Sequence, residues 1–191
     1  MTIPPWTEVQ VAVGGALRLA VGDRKALGCF DISIDGFWRS FRAAAICYPI
    51  FIVLLALNIT PAQWGAYGIP SILVVETIKY VIAWVAFPLI ILPVSELFGR
   101  GDRFLAFMLV YNWSQIPQFV LFAVIGLDGA TGLAPSSIAG SAALGAFLAV
   151  LVYEWYIGRV ALGATGAQAT LIVIIDQLLG ACLDRIAQAL Y

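Results

Sequence analysis

The chain has 191 residues, of which 62% are hydrophobic and only 11% are charged. Soluble domains have roughly 45–50% apolar and about 25% charged residues, and a soluble fold of this size cannot hide so much apolar surface from water. The net charge of −1 excludes the clustered basic excess by which proteins bind nucleic acid. The composition therefore predicts an all-α integral membrane protein.

Residue types needed for many kinds of catalysis are missing. The sequence contains no histidine, which excludes His-based triads, imidazole zinc sites and histidine proton relays. Its three cysteines, Cys29, Cys47 and Cys182, form no CxxC pair and indicate isolated thiols. We therefore expect a protein that is not an enzyme and has neither a cofactor nor a metal site.

Residues 1–37 form the only sizeable polar region, which we predict to be a cytoplasmic segment. Apolar side chains recur there at helical spacing, at Trp6, Val9, Val13, Leu17 and Ala20. This stripe fits an N-terminal amphipathic helix lying in the cytoplasmic interface, or a helix packed on the cytoplasmic ends of the spans. Residues 23–36 are expected to form a connector, with Asp31 and Asp35 as caps or turn residues.

Residues 38–191 are predicted to form a transmembrane domain of five helices. The spans are expected at 38–58, 71–97, 104–127, 136–158 and 167–189. Each reaches the roughly 20 residues needed to cross the hydrocarbon core, and Pro88 and Pro93 predict a kink in the second. Since residues 1–10 lack the basic and apolar regions of a cleavable signal peptide, the first span is expected to direct insertion. The loops between spans, such as TPAQWGAYGIP, are short and rich in turn formers.

The distribution of lysine and arginine predicts the orientation. In the five-span topology one side carries Arg18, Arg24, Lys25, Arg39, Arg42, Arg100, Arg103 and Arg159. Only Arg185 lies toward the other side, and Lys79 lies within a span. By the positive-inside rule, the N-terminus is cytoplasmic and the C-terminus outside. We expect a multi-pass protein of the inner (plasma) membrane of a bacterium.

Ionisable residues at membrane depth are costly and therefore indicate function. Glu76 and Lys79 lie in the second span and Asp176 in the fifth. Depths counted from the span ends permit a pair between Lys79 and Asp176, with Glu76 competing for the lysine. Asp176, Gly180 and Asp184 form a polar stripe at intervals of four residues. Glu154 is expected near the cytoplasmic boundary, as a partly solvated charge.

The third span carries an unusually polar run that shares this depth. Asn112, Gln115 and Gln118 recur every three residues and so share one face of the helix. Together with Glu76, Lys79 and Asp176, the amides Asn112 and Gln115 form a candidate intramembrane binding cluster. The same groups also fit a structural role, in which amides and carboxyls bond helices together away from water.

The fourth span carries a ladder of small residues, Ser137, Ser141, Gly145 and Ala149. Small residues at four-residue spacing let helix backbones approach closely. The contact can lie within the bundle or between protomers, so the expected partners are the lipid bilayer and either a second copy or another membrane protein.

The five-span topology, the cytoplasmic segment and the short loops resemble the Yip1-domain family in its short bacterial form. The run Tyr111-Asn112-Trp113-Ser114-Gln115-Ile116-Pro117 is similar to a Tyr-to-Pro pattern of that family. The acidic-aromatic signature Asp-Leu-Tyr-Gly-Pro of the eukaryotic trafficking members is absent from the sequence. The resemblance therefore implies a fold and a role in membrane organisation, but no Rab binding and no site residue.

Two functional hypotheses follow from these features. The first is a non-enzymatic membrane protein that organises or assembles with other membrane components, a Yip1-like scaffold. The alternative is a small transporter or channel that uses the intramembrane polar cluster. An intramembrane enzyme has the least support, because groups for proteolysis, acyl transfer or metal-assisted hydrolysis are not evident.

Overall fold

The computed structural model describes residues 5–132 and 135–190. Every regular element in these ranges is helical. The α-helices are α1 (Pro5–Ala20), α2 (Ile34–Ser40), α3 (Arg42–Asn58), α4 (Pro61–Tyr67), α5 (Ile69–Leu97), α6 (Phe104–Thr131), α7 (Ser136–Ile157) and α8 (Gly166–Gln188). Short 3-10 turns at Arg24–Cys29 and Gly101–Arg103 and a π-helical turn at Gly158–Leu162 complete this part of the chain.

Five helical segments in the described ranges are long and apolar enough to cross a membrane. They are Ile34–Asn58, Ile69–Leu97, Gly101–Thr131, Ile138–Leu162 and Gly166–Gln188. The prediction of an all-α chain with five helices able to span a membrane is therefore confirmed.

Helix α6 occupies the centre of the bundle. It packs against α1, α2, α3 and α7, whereas α5 packs mainly on α8. Its buried side chains include Phe107, Met108, Leu109 and Trp113. The outer helices keep many large apolar side chains exposed, such as Leu89 on α5. Helices apolar on all sides suit a bundle surrounded by lipid.

Helix α1 packs through a face that overlaps the predicted stripe only in part. Its buried residues include Ala12, Ala16 and Leu19, and Val9 and Val13 of the stripe also pack against the core. Trp6 and Leu17 of the stripe are exposed. Small side chains occupy the packed face of α1 because they allow the helix to lie close to its neighbours. A Cβ atom at Gly15, for example, would lie 2.8 Å from the Cβ of Cys29.

The predicted connector is more ordered than expected, and its caps differ. Asp23, not Asp31 or Asp35, caps the turn at Arg24–Cys29, because its Oδ1 accepts a hydrogen bond from the Lys25 amide at 3.0 Å. Arg18 also donates to the Asp23 carboxylate, at 2.6 and 3.0 Å. This hydrogen bond is the main cause that lowers the pKa of Asp23 and raises that of Arg18.

Asp31 and Asp35 do not cap a helix, but Asp31 is a turn residue, because its carbonyl accepts from the Ser33 amide at 2.8 Å. Ser33 caps α2 through a hydrogen bond from the Gly36 amide, and the Asp31 side chain pairs with Arg39. The expected loop after α3 contains helix α4, because Thr60 and Gln63 form a capping box at its start. A sequence rich in turn formers here encodes a short helix with strong caps.

Helix α7 and the turn that follows it extend beyond the predicted fourth span. The π-helical turn Gly158–Leu162 continues it by five residues, and Gly163 then ends it with a φ of +71°. A Cβ atom at Gly163 would also meet Nη1 of Arg103 at 2.9 Å. The extension places Glu154 deeper in the helix than its distance from Arg159 predicted.

Candidate functional site

A cavity of about 490 Å³ lies between α3, α5, α6 and α8. Ionisable and amide side chains that line it are Lys79, Tyr111, Asn112, Gln115, Asp176, Gln177 and Asp184. Four of the five residues of the predicted binding cluster are thus brought together. The stripe Asp176, Gly180 and Asp184 also lies along the cavity wall.

Lys79 is held by two carboxylates, one from its own helix and one from α8. It contacts Oε2 of Glu76, and it donates a hydrogen bond to Oδ1 of Asp184 at 2.8 Å. Its ammonium group also lies 5.9 Å from the centre of the Phe51 ring, as in a cation–π contact. Glu76 is buried, so it takes part in the site through Lys79.

The permitted pair between Lys79 and Asp176 does not form. Asp176 is linked through Tyr111 to Phe87, whose ring stacks on that of Tyr111 with 4.3 Å between the ring centres. Phe87 follows Lys79 by eight residues, about 12 Å along α5. Helix α5 has 29 residues, more than the roughly 20 that cross the hydrocarbon core. Depths counted from the helix ends were therefore misleading.

Asp176 has neutral partners. The hydroxyl of Tyr111 donates to its Oδ1 at 2.7 Å, and Nε2 of Gln177 lies 3.5 Å from its Oδ2. In the described part of the chain, the ion pairs of Lys and Arg do not include this carboxylate.

Glu154 is a carboxylate that the sequence interpretation placed wrongly. It was expected to be partly solvated, but its exposed fraction is only 6%. Its Oε2 atom has no hydrogen-bond partner among the described residues. The π-helical turn after Ile157 extends the helical segment to Leu162, so Glu154 lies farther from its end than the sequence predicted.

The three amides of α6 have different environments. Asn112 is buried and donates to Oγ of Ser40 at 2.8 Å, so it also ties α6 to α2. The Nε2 atoms of Gln115 and Gln118 are buried without hydrogen-bond partners among the described residues. Gln115 lines the cavity. Buried amides are usually satisfied, so Gln115 has hydrogen-bonding capacity left for an occupant.

The predicted ladder of small residues lies on the outer side of α7. Ser141, Gly145 and Ala149 are exposed, and a Cβ atom added at Gly145 would meet nothing within 4 Å. The helix packs instead through a face that includes Ala146 and Val150. The fourth member, Ser137, has a side chain outside the described residues. Gly145 and Ala149 of the ladder therefore do not hold α7 in the bundle.

The described residues contain no group of three or more Cys, Asp or Glu side chains arranged to hold a metal ion. No family model, curated protein or solved structure matches the chain. Functional interpretation consequently depends on the cavity and its charges. These are the Lys79 ammonium group, which two carboxylates hold, and the Asp176 carboxylate, which has no cationic partner among the described residues.

Proposed function

We propose that this chain is a multi-pass membrane protein that binds a small polar solute inside its helix bundle, as a small transporter does. The observation that carries the proposal is the cavity of about 490 Å³ lined by Lys79, Gln115 and Asp176. Its volume falls in the range of small-molecule sites. Ionisable side chains at membrane depth commonly mark solute or ion pathways. Transporters commonly bind their substrates near the midplane of the bilayer.

The proposed orientation has the N-terminus in the cytoplasm. The asymmetry of Lys and Arg along the sequence supports it. Helix α1 lies by the end of α7, where the hydroxyls of Tyr153 and Tyr156 donate to the carbonyls of Ala16 and Gly22 at 2.6 and 2.9 Å. The outer face of α1 exposes Trp6, which fits contact with lipid headgroups. A bacterial inner membrane remains part of this proposal.

Access of water to the cavity tests the proposed function directly. Ala83 lines the cavity, whereas its neighbour Ile82 is exposed on the outer surface of the bundle. In a background with Cys29, Cys47 and Cys182 replaced, we would introduce Ala83→Cys or Ile82→Cys. The protein, reconstituted in lipid vesicles, would then be treated with a charged, membrane-impermeant thiol reagent.

We expect the cavity thiol at position 83 to be labelled and the lipid-facing thiol at position 82 to be protected. A charged reagent needs water around the thiol, and lipid excludes both water and reagent. Labelling from inside or outside the vesicle also reports the direction in which the cavity opens. If neither side labels position 83 while a thiol at an exposed loop position reacts, the proposed function is refuted.

A second candidate function is assembly with other membrane components. Its supporting observation is the outer face of α7, where Gly145 and Ala149 are exposed and therefore accessible to another helix. Small residues favour close helix contacts in lipid. The resemblance to the Yip1-domain family also favours this role, and membership of that family stays a prediction.

Substitution on α7 separates the two candidates. Gly145→Leu would block close approach of a second helix but meets open space in the monomer. We expect it to reduce a crosslinked or fluorescence-detected oligomer in lipid if the scaffold function is correct. Ala146→Gly, on the buried face, is the matched control. An oligomer that is unchanged by Gly145→Leu would exclude assembly through this ladder.

A further inference from the structure

The charges around the cavity are unbalanced. Lys79 is already neutralised by Glu76 and Asp184. Asp176 and Glu154, by contrast, are paired with no cation in the part of the chain that the structure describes. Of these two carboxylates, Asp176 lines the cavity, and its hydrogen-bond partners Tyr111 and Gln177 are neutral. The Asp176 carboxylate is therefore accessible to a cationic ligand in the cavity.

The walls of the cavity indicate which kind of cation fits. Aromatic rings line it on three helices, namely Phe51, Tyr80, Trp84, Phe87, Tyr111 and Phe119. Faces of aromatic rings attract ammonium groups, and most strongly where water is excluded. The ring of Phe51 already has the Lys79 ammonium group at 5.9 Å from its centre. These walls can therefore hold an ammonium ion.

A bare metal ion fits the same walls poorly. Hard cations such as Ca²⁺ take six to eight oxygen ligands and Mg²⁺ demands an octahedral shell. No suitable group of acidic side chains occurs in residues 5–132 and 135–190. An organic ammonium ion needs only one carboxylate and several ring faces. The cavity offers the carboxylate of Asp176 and the aromatic rings that line its walls. The buried amide of Gln115 can hydrogen-bond to a polar substituent of the same molecule.

Resting on the proposed function, we infer that the cavity solute is a small organic ammonium ion, bound by the Asp176 carboxylate and the aromatic walls. The other end of the cavity contains the Lys79 ammonium group, which is held by Glu76 and Asp184 and can donate a further hydrogen bond to a neutral polar group. The cationic end lies toward Asp176 and any hydroxyl or other neutral polar end lies toward Lys79. The same chemistry occurs in free ammonium compounds and in ammonium-bearing lipid headgroups.

Competition between a cation and its neutral isostere tests this inference. The full-length chain in phosphatidylglycerol nanodiscs, which contain no ammonium lipid, would be titrated with radiolabelled choline. Unlabelled tetramethylammonium and dimethylbutanol, in which carbon replaces the ammonium nitrogen of choline, would serve as competitors. We expect tetramethylammonium to displace choline and dimethylbutanol to be weaker by about tenfold or more.

Two variants connect the binding to the cavity. Asp176→Asn removes the charge but keeps an acceptor for the Tyr111 hydroxyl, and it should weaken choline binding about tenfold or more. Trp84→Leu keeps the site apolar but removes a ring face, and it should weaken choline binding severalfold. Asp128→Asn replaces a carboxylate that does not line the cavity and should leave affinity unchanged.

The outcomes distinguish this inference from the proposed function. If position 83 is labelled in the thiol experiment but choline does not bind, or the neutral isostere competes equally, the ammonium inference is overturned and the solute-binding function survives. Wild-type affinity in a folded Asp176→Asn protein would also overturn the inference. If phosphatidylethanolamine in the nanodiscs suppresses choline binding, the ammonium chemistry is supported and its source is a lipid headgroup.

Discussion

Replacement of Lys79 by methionine tests whether the charges in the bundle interact as the structure indicates. The side chain of Lys79 is 19% exposed, whereas those of its partners Glu76 and Asp184 are 3% and 56% exposed. The interaction with Glu76 is therefore shielded from water, and the interaction with Asp184 is largely not. These two halves of one network should contribute unequally to stability.

We expect Lys79→Met to lower the free energy of unfolding by about 3 kcal/mol, because removal of one partner of a buried pair leaves the other charge uncompensated. Asp184→Asn should cost less than about 1 kcal/mol, the usual range for an exposed ion pair. Methionine approximates the length of the lysine stem, so little packing is lost. The comparison thus measures charge rather than volume.

The assay is reversible unfolding in mixed detergent micelles, followed by tryptophan fluorescence. A double-mutant cycle adds Glu76→Gln, which removes the buried charge, and the combined variant should recover much of the lost stability. A loss below about 1 kcal/mol for Lys79→Met, or no recovery in the double variant, would refute the assigned network.

Three further predictions concern the periphery of the bundle. Tyr153→Phe removes the hydroxyl that bonds to the Ala16 carbonyl; it should cost about 1–2 kcal/mol and increase amide exchange in α1. Gly36→Ala places a Cβ atom 1.9 Å from the Asp31 carbonyl oxygen and should cost about 2–3 kcal/mol in chemical unfolding. Asp23→Ala should speed amide exchange at Arg24–Cys29 at neutral pH. Since the pKa of Asp23 is lowered by folding, this difference from the wild type should vanish as the pH falls below 3.8.

Each of these predictions has a matched control in the chain. Tyr156→Phe removes an exposed hydroxyl from the same helix end and should affect exchange in α1 less. Gly145→Ala meets no atom within 4 Å and should leave stability equal or slightly raised. Asp23→Asn keeps a capping oxygen, so it should retain part of the protection at neutral pH. Equal effects of variant and control would contradict the assigned contact in each pair.

The positions of the spanning helices were predictable because they depend on one strong local signal. A run of about 20 apolar residues has few alternatives to a membrane helix, and all five runs form helices long and apolar enough to cross a membrane. Ends of helices depend on weaker and more specific features. Thr60 and Gln63 form a capping box that starts the short helix α4, and a π-helical turn extends the chain of α7 beyond Ile157. Apolar composition alone could place neither feature.

Pairing between helices was harder to predict than the helices themselves. Lys79 lies within α5 as predicted, but its partner on α8 is Asp184 and not Asp176. Which carboxylate it reaches depends on the relative register of two helices, and a shift of two turns moves the contact by about 11 Å. Sequence periodicity fixes the face of a residue on its own helix. It contains no information about how far one helix is shifted along another helix.

The stability of Asp176→Asn can show whether the unpaired carboxylates serve folding or function. A carboxylate that only holds helices together should be costly to replace, as at Glu76. Asp176 has no cationic partner among the described residues and accepts hydrogen bonds only from neutral groups, so its charge is not offset in the empty protein. We expect Asp176→Asn to be neutral or stabilising in unfolding while it weakens ligand binding. Proteins can retain a destabilising charge where that charge binds a ligand. If Asp176→Asn lost stability and ligand binding together, Asp176 would instead be a structural residue.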